Sequence, residues 1–229
     1  MSGTPTPAYV IPFQLRAGHV ILTARVNGTP GTFILDSGSS VSVLDEEWAA
    51  PLALPSAGAP ISALGTGDAT VTLATAQSIS IGALELPDQM VALVPLAAAA
   101  ASSGQPIHGT IGRPLFMRYT VEIDYARREL RLFAPATYSY AGSGVSVALE
   151  LSRGMPLISA TIVPHGAPAF SARLVLDIGT SGVGVLFTTP FANAHADAFE
   201  HADSIDMGSA LGVGGAMTGR VVRDRKSVV

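Results

Sequence analysis

The sequence predicts an all-β protein built from two related lobes, and three observations carry that reading. From residue 11 to 133, short runs rich in β-branched and apolar residues are punctuated by Gly, Pro and Asn, the pattern of strands joined by tight turns. The stretch Thr32-Phe33-Ile34-Leu35-Asp36-Ser37-Gly38-Ser39-Ser40 returns as Arg173-Leu174-Val175-Leu176-Asp177-Ile178-Gly179-Thr180-Ser181. Three apolar residues thus lead twice into Asp-x-Gly-Ser/Thr-Ser, 141 residues apart. Ser62-Ala63-Leu64-Gly65-Thr66-Gly67 also returns, as Ser209-Ala210-Leu211-Gly212-Val213-Gly214, at nearly the same offset. Two matched pairs in one order point to duplication of a β-rich lobe.

Taken in order, residues 1–10 read as a disordered Pro/Thr lead-in. Residues 19–26 alternate and end at Asn27-Gly28, a strong hairpin signal, with 32–35 as the return strand into Asp36. Asp45-Glu46-Glu47-Trp48 offers an N-capping acid and an acidic first turn, which predicts a short helix. Residues 62–68 read as a glycine-rich hairpin tip, 69–74 and 77–81 as strands, and 97–101 as a loop or short helix. An apolar-Gly element, Thr110-Ile111-Gly112, leads to Leu115-Phe116, then to strands 119–125 and 130–133 about a turn at 126–128.

The first lobe is therefore 11–134, a Pro/Gly/Ser/Tyr linker covers 135–144, and the second lobe runs from 145 to 223. In the second lobe 157–163 matches 21–26, with Pro164-His165-Gly166 replacing the Asn-Gly turn. It reads as truncated, because no second apolar-Gly element follows before the last residue. Residues 224–229 are charged and lack a strand to pair with, so they are expected to be a non-native tail.

Composition narrows the function. Hydrophobic residues make up 48% against 13% charged, enough for a sizeable core. The net charge of −4 provides no electrostatic footprint for nucleic acid. With no cysteine, thiol nucleophiles, disulfides and zinc-thiolate sites are excluded. The longest apolar run, 90–101, contains Pro95 and falls short of the roughly 20 residues of a membrane helix. The start has neither a basic nor an apolar region, so no signal peptide is visible, and the chain reads as soluble. Gly-x-Gly-x-x-Gly, Walker-type Gly-Lys-Ser/Thr and Gly-x-Ser-x-Gly are all absent, which argues against nucleotide binding and a serine-hydrolase elbow.

The chemistry concentrates on Asp36 and Asp177. Carboxylates from two matching loops can face each other across a pseudo-twofold axis. Like charges at contact distance cannot both ionise, so such a pair shares a proton. The ionised member can take a proton from a water held between them, and the protonated member can donate to a carbonyl oxygen. No metal and no cofactor is required. Gly38 and Gly179 suit a turn where one backbone closely approaches the partner loop. Ser39 and Thr180 stand where their hydroxyls could donate to the outer carboxylate oxygens.

These loops resemble the catalytic loops of pepsin-like and retropepsin-like aspartic proteases in their two-lobed, single-chain form. The resemblance implies the acid-protease fold, with two pseudo-symmetric barrel-like lobes, and aspartic endopeptidase activity on a peptide or protein substrate. It implies that Thr110-Ile111-Gly112 crosses behind the Asp-x-Gly loop, and that Gly65-Thr66-Gly67 is the flap hairpin closing over bound peptide. Gly212–Gly215 is its structural echo. In the family the residue after the acid is usually Ser or Thr, reaching across to the opposite loop. Ser37 fits; Ile178 does not, so half of that cross-lobe lock is expected to be missing.

The chain looks closest to bacterial aspartyl-protease proteins, which are typically exported and often carry a PDZ module after the second lobe. Alternatives are a peptide-binding pseudoprotease without turnover, suggested by Ile178, and a single lobe that self-associates as a homodimer. With both lobes complete a monomer is expected. The His/Asp-rich segment 191–203 reads as a solvated helix face rather than a metal site. His19, His108 and His165 lie scattered beside turns and receive no role.

Overall fold

A computed structural model describes residues 5–59, 61–62, 70–97, 100, 104–152, 154–200, 204–212 and 215–223. Strands hold 47% of residues and helices 16%, so the chain is all-β as the turn-punctuated runs predict. The first lobe begins with strands β1 (Tyr9–Pro12), β2 (Gln14–Arg16), β3 (His19–Val26), β4 (Thr29–Leu35) and β5 (Ser42–Asp45), followed by helix α1 (Glu46–Ala49). It continues through β6 (Ile61–Ser62), β7 (Thr70–Ile81), β8 (Leu84–Val94), β9 (Gly109–Ile111), helix α2 (Arg113–Arg118), β10 (Thr120–Asp124) and β11 (Glu129–Phe133).

Six of these strands close into a barrel in the order β3-β4-β9-β5-β8-β7, with β7 returning to β3 through Arg25–Ser80 and Val26–Ile79. The hairpin that starts it is encoded at Asn27 and Gly28, whose φ angles of 47° and 85° make the doubly left-handed turn that matches strand twist. Alternating residues of β3 and β4 point inward, and Leu22, Phe33 and Leu35 are almost fully buried with Leu44 of β5 and Ile111 of β9. Burying such side chains contributes on the order of 1.5–3 kcal/mol each, so the barrel is the stable platform of the chain.

The short strand β9 sits between β4, which it pairs in parallel, and β5, which it pairs antiparallel. Its glycine is required there: a Cβ on Gly109 would lie 2.1 Å from the Val43 carbonyl oxygen. Asp45 caps α1 by accepting from the Trp48 N–H (3.0 Å), as predicted, and also accepts from the Leu96 N–H (2.8 Å).

Several sequence expectations are corrected. Residues 9 and 10 are not a disordered lead-in: they belong to β1, which pairs with β11 through Tyr9–Leu132 and Val10–Arg131, extended by Ala8 N–H donating to Leu132 O (2.7 Å). From Thr70 onward the two expected runs form one strand, β7. Strand β8 was not anticipated, because Pro87 and Asp88 (φ 51°) interrupt its alternation with a local irregularity. Helix α2, with Pro114 in its first turn, follows the apolar-Gly element.

After a 3-10 turn at Pro135–Thr137, the part of the chain expected to form the second lobe holds β12 (Glu150–Ser152), β13 (Met155–Ile162), β14 (Phe170–Val175), helices α3 (Thr189–Ala194) and α4 (Ala196–Glu200), and the hairpin β15 (Ser204–Gly212) and β16 (Gly215–Val222). β13 and β14 repeat the β3–β4 hairpin, with Ile158 opposite Leu174 as Ile21 is opposite Ile34. Within 191–200 the expected solvated face is present at Asn193, Ala194, Ala196, Asp197 and Glu200, while the opposite face is packed. Phe170, Phe187, Phe191 and Phe199 form an aromatic cluster, and the His195 ring stacks on Phe170 at 5.0 Å. Burial of Phe199 drives this arrangement. His201 and Asp203 of that segment, the Gly65-Thr66-Gly67 tip, Val213 and Gly214, and the tail 224–229 lie outside the described residues. No helix among the described residues is long and apolar enough to cross a membrane.

Candidate active site

Strand β4 ends in the buried Leu35, and the Asp36 N–H donates to Ile111 O of β9 at 3.0 Å, so the barrel fixes where the acid leaves the sheet. The chain then turns tightly, with the Gly38 N–H donating to Asp36 Oδ1 (2.8 Å). β9 and the start of α2 brace this turn from behind. The Arg113 N–H donates to Ser39 O (2.9 Å), and the Gly112 N–H to Ser42 Oγ (3.1 Å). A Cβ on Gly112 would come within 2.3 Å of Val41 O, so the apolar-Gly element ends on glycine because two backbones touch.

The second loop repeats the pattern at the end of β14. The Gly179 N–H donates to Asp177 Oδ1 and the Thr180 hydroxyl to Asp177 Oδ2, each at 2.8 Å. Thr180 therefore stands as its position suggests. Ser39 does not: its hydroxyl donates to Val41 O (2.7 Å), which closes its own turn, and Asp36 receives the Ser39 backbone N–H instead.

The two loops meet face to face. A Cβ on Gly38 would lie 2.6 Å from Asp177 Cγ, and one on Gly179 would lie 2.6 Å from Asp36 Cγ. This reciprocal approach is possible only because both positions are glycine. It sets the Asp36 carboxyl beside that of Asp177. Burial, and next the adjacent Asp177 charge, push the Asp36 carboxyl up to about 7, against the hydrogen bonds from the Gly38 and Ser39 backbone that favour its ionised form.

Ser37, buried between the lobes, donates its hydroxyl to Leu176 O (2.6 Å) and accepts from the Ile178 N–H (3.1 Å). Ile178 returns no hydroxyl. Its side chain instead packs against the core of the first lobe, replacing a polar tie by apolar contact. One residue near the pair carried no sequence signal. His19, at the start of β3, reaches Ser181 with Nε2 2.9 Å from its Oγ. A single histidine beside a turn has no pattern to distinguish it.

Residues 22–115 match a family model described as aspartyl protease. The matched segment runs from β3 into α2 and contains Asp36, while Asp177 lies beyond it. Among solved structures, a retropepsin-like aspartic protease from Rickettsia conorii is 23% identical, with a TM-score of 0.38 over 54% of this chain and 88% of that one. The retroviral protease-like domain of Ddi1 from Leishmania major is 14% identical, with a TM-score of 0.34 over 51% and 94%. No curated protein sequence matches the chain.

Proposed function

We propose, from the premise that residues 22–115 belong to the aspartyl protease family, that this chain is an aspartic endopeptidase with Asp36 and Asp177 as its proton-sharing pair. The observation that carries the reading is the reciprocal approach of each glycine to the opposite carboxyl. One proton is shared, and the burial that raises Asp36 favours its residence there. Asp177, accepting from Gly179 and Thr180, then removes a proton from the attacking water. Asp36 donates to the scissile carbonyl oxygen as the tetrahedral intermediate forms. No covalent intermediate is needed. Gly65-Thr66-Gly67 serves as the flap in the same proposal.

Cleavage of a mixed peptide library between pH 3 and 8, with and without a statine-type inhibitor, tests it beside Asp36→Asn. Inhibitor-sensitive cleavage that falls about 10²- to 10⁴-fold in the variant is expected. A folded protein that cleaves nothing at any pH would overturn it and favour the pseudoprotease reading. Ile178 motivates that second reading, yet its N–H still bonds Ser37, so the tie between the loops survives on one side. Because Asp36 meets Asp177 within one chain, the proposal needs no second copy. Likeness to exported bacterial proteins with a PDZ module extends the proposal, and the flanking coding sequence tests that part.

A further inference from the structure

The loop that carries Asp177 is held from the first lobe at two points. Ser37 grips its entrance through Leu176 O and the Ile178 N–H. Its exit, four residues past Leu176's neighbour Asp177, is met by His19 at Ser181 Oγ. A loop fastened at one end only can pivot about it, and the Asp177 carboxylate would swing away from Asp36. Fastened at both ends, it cannot.

We propose that His19 is a positioning residue for the Asp177 loop, standing in for the cross-lobe hydroxyl that Ile178 does not supply. The inference rests on the aspartic-protease reading above. Three further observations support it. Gly18, at φ 83°, turns the chain from β2 into β3 so closely that a Cβ there would lie 3.0 Å from Ser181 Cβ, so the turn itself abuts the loop exit. The His19 ring also faces the Gly179 backbone and the Asp177 charge, which favour its protonation, while burial, the larger effect, holds it below the usual histidine range. A neutral ring suits the contact, because a serine hydroxyl can donate to Nε2 or accept from it in either tautomer. Finally, the link spans 162 residues of sequence and joins the barrel to the second lobe beside the carboxyl pair.

The test compares His19→Ala, His19→Gln and Ser181→Ala with the full chain. Loss of either partner is expected to lower kcat by about 10²-fold with KM changed by less than about threefold, since a small misplacement of a reacting group costs that much. The basic limb of the pH profile should move to lower pH as Asp177 withdraws from Asp36. His19→Gln, which keeps a side-chain hydrogen-bonding group, should recover most of the loss. A kcat and basic limb within about twofold and a few tenths of a pH unit of the parent, in both His19→Ala and Ser181→Ala, would overturn the inference.

Should the parent cleave nothing, the protease reading fails and the positioning role is decided by thermal unfolding from pH 4 to 8. The pH-dependent difference between the parent and Asp36→Asn should shrink when His19→Ala is the background. An unchanged difference would overturn it. If His19→Ala does not fold, Ser181→Ala carries the same comparison.

Discussion

Asp36 holds its proton far above the ordinary carboxylate range, to about 7, because the fold buries it beside a second carboxylate. This makes a stability statement as well as a catalytic one. Between the ordinary value near 4 and about 7, the folded protein keeps a proton on Asp36 that the unfolded chain has released. The folded state therefore binds more protons across that window, and its stability falls as pH rises through it. Asp36→Asn removes this contribution. The melting temperature of the parent relative to the variant is expected to be highest at pH 4 and to decline toward pH 8. Parallel melting curves at all pH values would show that the two acids do not crowd each other. Both acids were legible in the sequence, since the same eight-residue pattern occurs twice. The Ser39 hydroxyl was misread, because pattern cannot specify a rotamer: in the structure it serves its own turn through Val41 O. His19 was invisible because its partner is 162 residues away.

At the scale of elements, the acids are only as well placed as the strands behind them. Asp45 links three of these elements. It ends β5, caps α1 through the Trp48 N–H and accepts from the Leu96 N–H just past β8. Leu96 is buried, so without that acceptor its amide would be left poorly satisfied. Asp45→Ala should cost about 2–4 kcal/mol, combining a lost helix cap with an unmade buried hydrogen bond. Urea unfolding measures it, and a loss below about 0.5 kcal/mol would mean that solvent replaces both bonds. The capping acid was readable from Asp45-Glu46-Glu47. Its second partner was not, because strand β8 is masked in sequence by Pro87 and Asp88, which break the alternation that marks a strand. Likewise the two β runs before it merge into β7, since pairing with β8 carries the ladder across Ala76 and Ser78.

For the whole molecule, duplication in sequence does not mean equality in stability. The first lobe closes a barrel whose edges are mutually paired, and its core runs continuously from Ile11 to Leu132. In the second, among the described residues, β12, β13 and β14 form a three-stranded sheet over a core of Ala160, Ile162 and Ala172 with the Phe170 cluster. Val145, Leu149, Leu151, Val175 and Leu176 remain exposed along it. The repeated motifs lead to an expectation of two lobes, but they contain no information about how completely each one closes. Local opening should accordingly be easier in the second lobe, where fewer apolar contacts must break. Hydrogen exchange is expected to run at least about tenfold faster in β13 and β14 than in β3 and β4, although the two hairpins match in pairing. Ser37→Ala should widen that gap, because it removes the hydroxyl that holds Leu176 and Ile178 at the exit of β14. Protection lost in β14 while β4 stays protected would mark Ser37 as the tie through which the rigid barrel steadies the second acid. Equal exchange in both hairpins would instead mean that the lobes open as a single cooperative unit, joined by docking at the carboxyl pair.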